Sequence, residues 1–381
     1  MALKAVHFSH LRTLNQVRVQ ATMVAIYSSR FSKVNDGGQT SLNWSKFLVI
    51  GHRGSGMNVL ESSDRRMKEI KENSILSFNT AGEFAVDFIE FDVQVTKDDY
   101  PVIFHDNFIL TEEENGEISE RRLTELTLDE FVCCVPQTEP ANVGKTLLRR
   151  TEDQRILSWK VEQDDALCTL QEAFQKVNPS LGFNIELKFD DDIVYQDEEL
   201  IHVIQAILRV VFEYAKERAI IFSTFQPDAA RLIRVLQSTY PVFFLTDGGS
   251  EIYTDVRRNS LEEALKLCLA CGLQGIVSEV KAILRNQRAI NNIREANLSL
   301  LTYGQLNNVP QAVYFQHLAG VDGVIVDMVP EITASISDYM EQLNESKEDS
   351  LSVSEGDGQI KTLARHNFLP NQLSLLLKLD S

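Results

Sequence analysis

Short, apolar, β-branched segments alternate with helix-like stretches along most of this 381-residue chain, and that alternation limits its fold more than any other feature. The candidate strands are Phe47–Gly51, Phe88–Val95, Leu181–Lys188, Ala219–Thr224, Pro241–Thr246, Gly275–Val280, Leu298–Tyr303 and Gly323–Val326. Between most of them lie helix-like segments: Asn73–Glu83, Leu170–Val177, Asp228–Gln237, Ser260–Cys271 and Val309–Leu318. Strands that alternate with helices pair in parallel, because each helical crossover returns the chain in the same direction and covers a sheet face. Eight is also the count that closes such a sheet on itself. The expected fold is therefore α/β, a (β/α)8 TIM barrel, with an open doubly wound sheet as the structural rival.

One stretch breaks the rhythm. Phe88–Val95 is followed by Lys97, Asp98, Asp99 and Tyr100, then by Pro101–His105, with no room for a helix. A hairpin on the second strand is expected there. Residues 110–165, mixed in polarity, read as a small insertion after that strand, on the catalytic side of a barrel spanning residues 46–340. Residues 1–45 form an N-terminal tail. Its first 35 residues carry Lys4, Arg12, Arg18, Arg30 and Lys33 and no acid, which is the composition of a transit peptide. That points to a plastid, or to the cytoplasm if the tail carries no address. Residues 341–381 read as an acidic linker and a short C-terminal helix.

Composition narrows the partners. A net charge of -18 opposes binding to nucleic acid, where affinity rests on cations meeting phosphates. No apolar run reaches the roughly 20 residues that span a bilayer, so no transmembrane segment is expected. A small-molecule partner remains, and nothing in the pattern sets an oligomeric state. Five cysteines at irregular spacing do not form a disulfide framework. Cys268 and Cys271 make a CxxC, but inside a helical pattern, where they read as two small packing residues.

The chemistry lies in how acids and bases alternate along the strands. Side chains on a strand point to opposite faces in turn. In Phe88–Val93, Glu90 and Asp92 share a face with Phe88, while Ile89, Phe91 and Val93 share the other. In Phe183–Lys188, Asn184, Glu186 and Lys188 share a face, and Phe183, Ile185 and Leu187 the other. A barrel would turn the acids inward near its mouth, where barrel enzymes place catalysis. Three carboxylates converging in a half-buried space repel and lose solvation. A divalent cation relieves this, and all-oxygen ligands favour Mg²⁺, with Ca²⁺ as the alternative. The competing reading pairs these acids with Lys188 or Arg53 in a structural network. His52 and His105, two of seven histidines, fall at strand ends and suit proton transfer near neutral pH. Arg53 offers a planar donor fork for a phosphate.

Taken together, these motifs resemble the glycerophosphodiester phosphodiesterase family, in its plant and fungal form. Gly51-His52-Arg53-Gly54 is followed by Glu72-Asn73-Ser74, then Ile89-Glu90-Phe91-Asp92-Val93, Pro101–Asp106 and Asn184–Lys188. The resemblance spans about residues 47–330. It implies hydrolysis of a glycerophosphodiester to sn-glycerol 3-phosphate and an alcohol such as choline, ethanolamine or glycerol. His52 and His105 would be the acid/base pair, and Glu90, Asp92 and Glu186 the metal ligands. Arg53 and Lys188 would bind phosphate, and Glu72 and Asn73 would support them from behind. The nucleophile would be water or a neighbouring glycerol hydroxyl. Lys71-Glu72-Asn73-Ser74 departs from the family's Pro-Glu-Asn-Thr, and Leu301-Thr302-Tyr303-Gly304 from its Trp-Thr-x-Asn, so head-group choice is open. Lysophospholipase D activity on lysolipids, or a non-catalytic phosphate-ester sensor, are the rival readings.

Overall fold

The computed structural model describes residues 32–34, 40–42, 44–113, 115–134, 146–151 and 153–339. The eight apolar runs form strands β1 (Leu48–Gly51), β2 (Phe88–Val95), β3 (Gly182–Leu187), β4 (Ile220–Thr224), β5 (Val242–Thr246), β6 (Gly275–Glu279), β7 (Ser299–Tyr303) and β8 (Gly323–Val326). Each pairs in parallel with the next, and β8 and β2 both pair with β1. The sheet therefore closes into a barrel, and the open doubly wound alternative is excluded. The expected strand bounds hold to within about a residue at each end.

The helices start and stop where local chemistry dictates. The α1 helix (Ile75–Ala81) begins after Ser74, whose hydroxyl accepts from Ser77 N. Thr169 and Glu172 form a reciprocal cap at the start of α2 (Leu170–Lys176). α3 (Asp197–Tyr214) carries three acids in its first turn. α4 (Pro227–Leu236) opens on proline, and α5 (Leu261–Cys271) ends at Gly272 with φ 66°. The pair α6 (Val280–Arg285) and α7 (Gln287–Glu295) follows β6, where the sequence pattern gave no distinct signal. α8 (Pro310–Ala319) precedes β8, and residues 329–339 are helical after it.

Strand alternation builds two apolar layers. Ile89, Phe91 and Val93 point outward onto the helices, with Phe91 ringed by Phe78 at 5.2 Å and Phe183 at 5.0 Å. Phe88, Ile221, Phe243, Val277 and Leu301 point inward and fill the barrel floor. Each such side chain contributes about 1.5–3 kcal/mol by burial. A filled floor leaves the C-terminal mouth as the place where ligands enter.

Pro101–Ile103 folds back antiparallel on β2, with Ile103 opposite Val93, as the hairpin reading expects. Beyond it, a four-stranded antiparallel sheet runs in the order Ile118–Arg122, Phe108–Glu112, Thr146–Arg150, Ile156–Ser158. Its core of Leu123, Phe131, Leu147 and Trp159 is continuous with Val102 and Phe104 of the hairpin, which fastens it to the barrel. Ser32–Val34 and Thr40–Leu42 pair with each other inside the stretch expected to be tail, and Leu42 packs against the barrel. Residues 1–31, 35–39 and 43 of that tail, and residues 341–381 with the expected linker and helix, lie outside the described residues. No disulfide forms among the described residues; Cys268 is buried in α5 and Cys271 half-buried.

Candidate active site

Barrel register brings the acids together. β2 and β3 pair Glu90 with Asn184 and Asp92 with Glu186, so the three carboxylates line one inward patch. Each of Glu90, Asp92 and Glu186 offers an oxygen within 4.8 Å of the others. Burial and the Asp92 charge push the Glu90 carboxyl up to about 8. Glu186 is also raised by burial, against the pull of Lys188. Burial opposes charge on Asp92 too, but His105, Arg53 and Lys188 outweigh it and hold the group at about 2.

The competing structural network is present only in part. Lys188 Nζ lies 2.8 Å from Glu186 Oε1 and 3.7 Å from Asp92 Oδ1, and Arg53 Nε lies 3.4 Å from Asp92 Oδ2. Glu90 has no such partner among the described residues: its nearest charge contact is His52 Nε2 at 4.0 Å. A buried acid that stays protonated for want of a cation, beside two other carboxylates, fits a divalent ion with oxygen preference.

His52 follows β1, and Asp327 follows β8. Because Gly51 pairs with Val326, the two land side by side. His52 Nδ1 donates to Asp327 Oδ1 at 2.7 Å, which leaves Nε2 facing the acids. Asp327 also accepts from Met57 N at 3.0 Å and Asn308 Nδ2 at 2.8 Å. Burial lowers the His52 imidazole, but Asp327 more than offsets it, so its pKa is raised. His105 follows the returning hairpin strand, and its Nδ1 donates to Asp106 Oδ1 at 2.7 Å. Burial, then Arg53 and Lys188, hold its imidazole well below the usual range.

Arg53 occupies a left-handed backbone conformation, φ 49°, which a residue with a side chain seldom adopts. The turn sends its N–H to Glu90 Oε2 at 2.9 Å, while its carbonyl accepts from Asn73 N at 3.0 Å. Gly54, at φ 93°, has no room for a Cβ against Ser77. The guanidinium is held by Glu72 Oε1 at 2.7 Å. Asn73 Nδ2 donates to Asp92 Oδ2 at 2.8 Å. Burial would raise Glu72, but Arg149 and Arg53 keep it at about 2. The structure thus brings every expected residue to one mouth: His52, His105, Arg53, Lys188, Glu72, Asn73, Glu90, Asp92 and Glu186.

Sequence reasoning missed Asp327, Asp106 and Arg149. Asp327 and Asp106 were open to inference, since each is an acid at the end of a strand run; Arg149 gave no signal. Two clefts meet at Lys188. One, about 160 Å³, is lined by Glu186, Phe225, Asp247, Tyr253 and Arg258. The other, about 410 Å³, runs from His105 past Phe108, Glu120 and Arg150 of the inserted sheet. Where the family's Trp-Thr-x-Asn would stand, Tyr303 donates to Asp247 Oδ1 at 2.6 Å, and Asp247 in turn lines the first cleft.

A (β/α)8 barrel whose mouth gathers three acids, two imidazoles and two cations belongs to the class of barrel enzymes that act on phosphate esters. More narrowly, the chain belongs to the glycerophosphoryl diester phosphodiesterase family, whose model matches residues 52–331. It is 58% identical to glycerophosphodiester phosphodiesterase GDPD2 of Arabidopsis thaliana over 90% of this chain and 91% of that one. It is 51% identical to GDPD1, chloroplastic, of the same plant over 100% and 98%. Among solved structures, the fold is shared with an Oleispira antarctica phosphodiesterase in complex with its product sn-glycerol-3-phosphate, at TM-score 0.54 and 19% identity, covering 76% of this chain and 96% of that one. A Parabacteroides distasonis glycerophosphodiester phosphodiesterase matches at TM-score 0.52 and 18% identity, over 77% and 100%.

Proposed function

We propose that this chain hydrolyses glycerophosphodiesters to sn-glycerol 3-phosphate and an alcohol. The observation that carries the reading is the convergence of Glu90, Asp92 and Glu186 on one patch with His52 Nε2 at its edge. A divalent cation there, Mg²⁺ by ligand chemistry, would draw charge from a phosphoryl oxygen as the ester breaks. Arg53 and Lys188 bind the remaining phosphoryl oxygens and offset the charge that grows on them. Asp327 favours the protonated form of His52, and the cations around His105 favour its neutral form. This suits His105 to accepting the proton of the attacking hydroxyl and His52 to donating one to the departing alkoxide. Supporting this reading, the relatives carrying the glycerophosphodiester phosphodiesterase name align over nearly the whole chain.

Purified protein with Mg²⁺ should release glycerol 3-phosphate from glycerophosphocholine, and EDTA should stop it. Turnover that survives complete metal removal would discard the cation's role. A plastid location is part of the proposal, resting on the basic, acid-free first 35 residues and on a full-length relative named chloroplastic. Residues 1–45 fused to a fluorescent protein should reach chloroplasts; diffuse cytosolic signal would reject it.

A further inference from the structure

Arg149 belongs to the inserted sheet, on the strand Thr146–Arg150, and not to the barrel. Its guanidinium is nevertheless buried at the barrel mouth, where it reaches two acids on different arms of the site. Nη1 donates to Glu72 Oε2 at 3.0 Å, and Nη2 donates to Asp106 Oδ1 at 3.1 Å. Glu72 in turn holds Arg53, and Asp106 holds His105. The plane of Arg149 lies over Trp159, 4.3 Å from the ring centroid, and Trp159 Nε1 donates to Asn58 Oδ1 at 3.0 Å. The fork is thus itself clamped, by stacking on one side and by carboxylates at its tips.

His105 needs such help. Its side chain is 32% exposed and Asp106 is 30% exposed, so neither is fixed by packing alone. Gln94 Nε2 donates to the main-chain oxygens of Phe104 and Asp106, both at 2.9 Å, which fixes the backbone there. It leaves the carboxylate of Asp106 free to swing. Arg149 closes that freedom, and with it the rotation of the imidazole that Asp106 engages.

We propose that Arg149 is the positioning residue that aims His105, so that the inserted sheet completes the catalytic mouth. Arg149 touches no reacting atom; it acts through Asp106. A planar fork spans two acids at a fixed separation, which the single ammonium of lysine does not. The inference rests on the proton-transfer role of His105, and the experiment separates the two. Full-length protein is compared as wild type, Arg149→Met, Arg149→Lys and Leu123→Ala, the last removing a fully buried side chain from the inserted sheet's core without touching the site. Turnover of glycerophosphocholine with Mg²⁺, melting temperature and the ¹⁵N signals of the His105 ring are measured.

Arg149→Met should lower kcat by about 10- to 100-fold and raise KM by less than that, because His105 loses its orientation while Glu72, though it loses one partner, still bonds Arg53. Added guanidinium should return part of the rate, and Arg149→Lys should fall between. Leu123→Ala should lower the melting temperature and keep kcat. In Arg149→Met the His105 ring should lose its single Nδ1–H form. Wild-type kcat in Arg149→Met, or kcat that tracks melting temperature equally in Arg149→Met and Leu123→Ala, would overturn the inference. If wild type itself gives no turnover, the proposed reaction fails. The ring signals then decide alone: unchanged His105 signals reject the positioning role, and loss of the Nδ1–H form upholds it.

Discussion

Affinity for a divalent cation should climb with pH in a range where ordinary carboxylates are already ionised. Glu90 has its carboxyl pushed up to about 8 by burial and by Asp92. Near neutral pH it mostly carries a proton, and a cation taking its oxygen must displace that proton. Each pH unit below 8 then weakens binding by about tenfold, about 1.4 kcal/mol, and the dependence flattens above 8. Asp92, held at about 2, is ionised throughout and adds no slope. Folding of the cation-free protein responds to pH in the opposite direction. Glu90 binds its proton more tightly folded than unfolded, so the cation-free protein loses stability as pH rises from about 4.5 toward 8. His105 pulls the opposite way below its ordinary value of 6.5, which places the measurement above that point. Calorimetric titration with Mg²⁺ or Mn²⁺ from pH 6.5 to 8.5, in two buffers of different ionisation enthalpy, should show about one proton released per cation near pH 7. Glu90→Gln should bind more weakly and release fewer protons than wild type. A cation affinity that stays flat over that range in wild type would refute the reasoning.

His52→Ala and His105→Ala should each lower kcat by about 10²- to 10⁴-fold, checked by release of glycerol 3-phosphate at saturating substrate. Asp327→Asn should lower the His52 pKa followed by NMR, because the carboxylate that raises it is gone. Asp322, whose carboxyl burial pushes up to about 6, costs the fold nothing below its unfolded value of 3.8 and destabilises it as pH rises through 6. Asp322→Asn keeps an acceptor for Leu300 N and should stabilise by about 2–3 kcal/mol at pH 8 and by almost nothing at pH 3.5, read by denaturant unfolding. Phe91→Ala, at a fully buried position between Phe78 and Phe183, should cost about 3–5 kcal/mol by the same assay.

The barrel was legible because each strand announces itself locally. β-branched runs of four to eight residues, broken by capped helices, need no distant information. The inserted sheet was harder, since its strands are short, half-exposed and polar on one side, as in Ile118–Arg122. The helix pair α6 and α7 merged with β6 in the pattern because Val280 ends one run and begins the next.

Period-two alternation, readable in residues 88–93 and 183–188, was enough to put Glu90, Asp92 and Glu186 on inward faces and Phe91 and Phe183 outward. It could not say what stands opposite them. His52 meets Asp327 across 275 positions of sequence, because barrel closure sets β8 beside β1. Arg149 reaches Glu72 and Asp106 only because the inserted sheet folds down over the mouth. Local composition fixes which face a side chain takes; the partner that tunes its proton or holds its angle depends on how distant segments pack, and no single stretch of chain carries that.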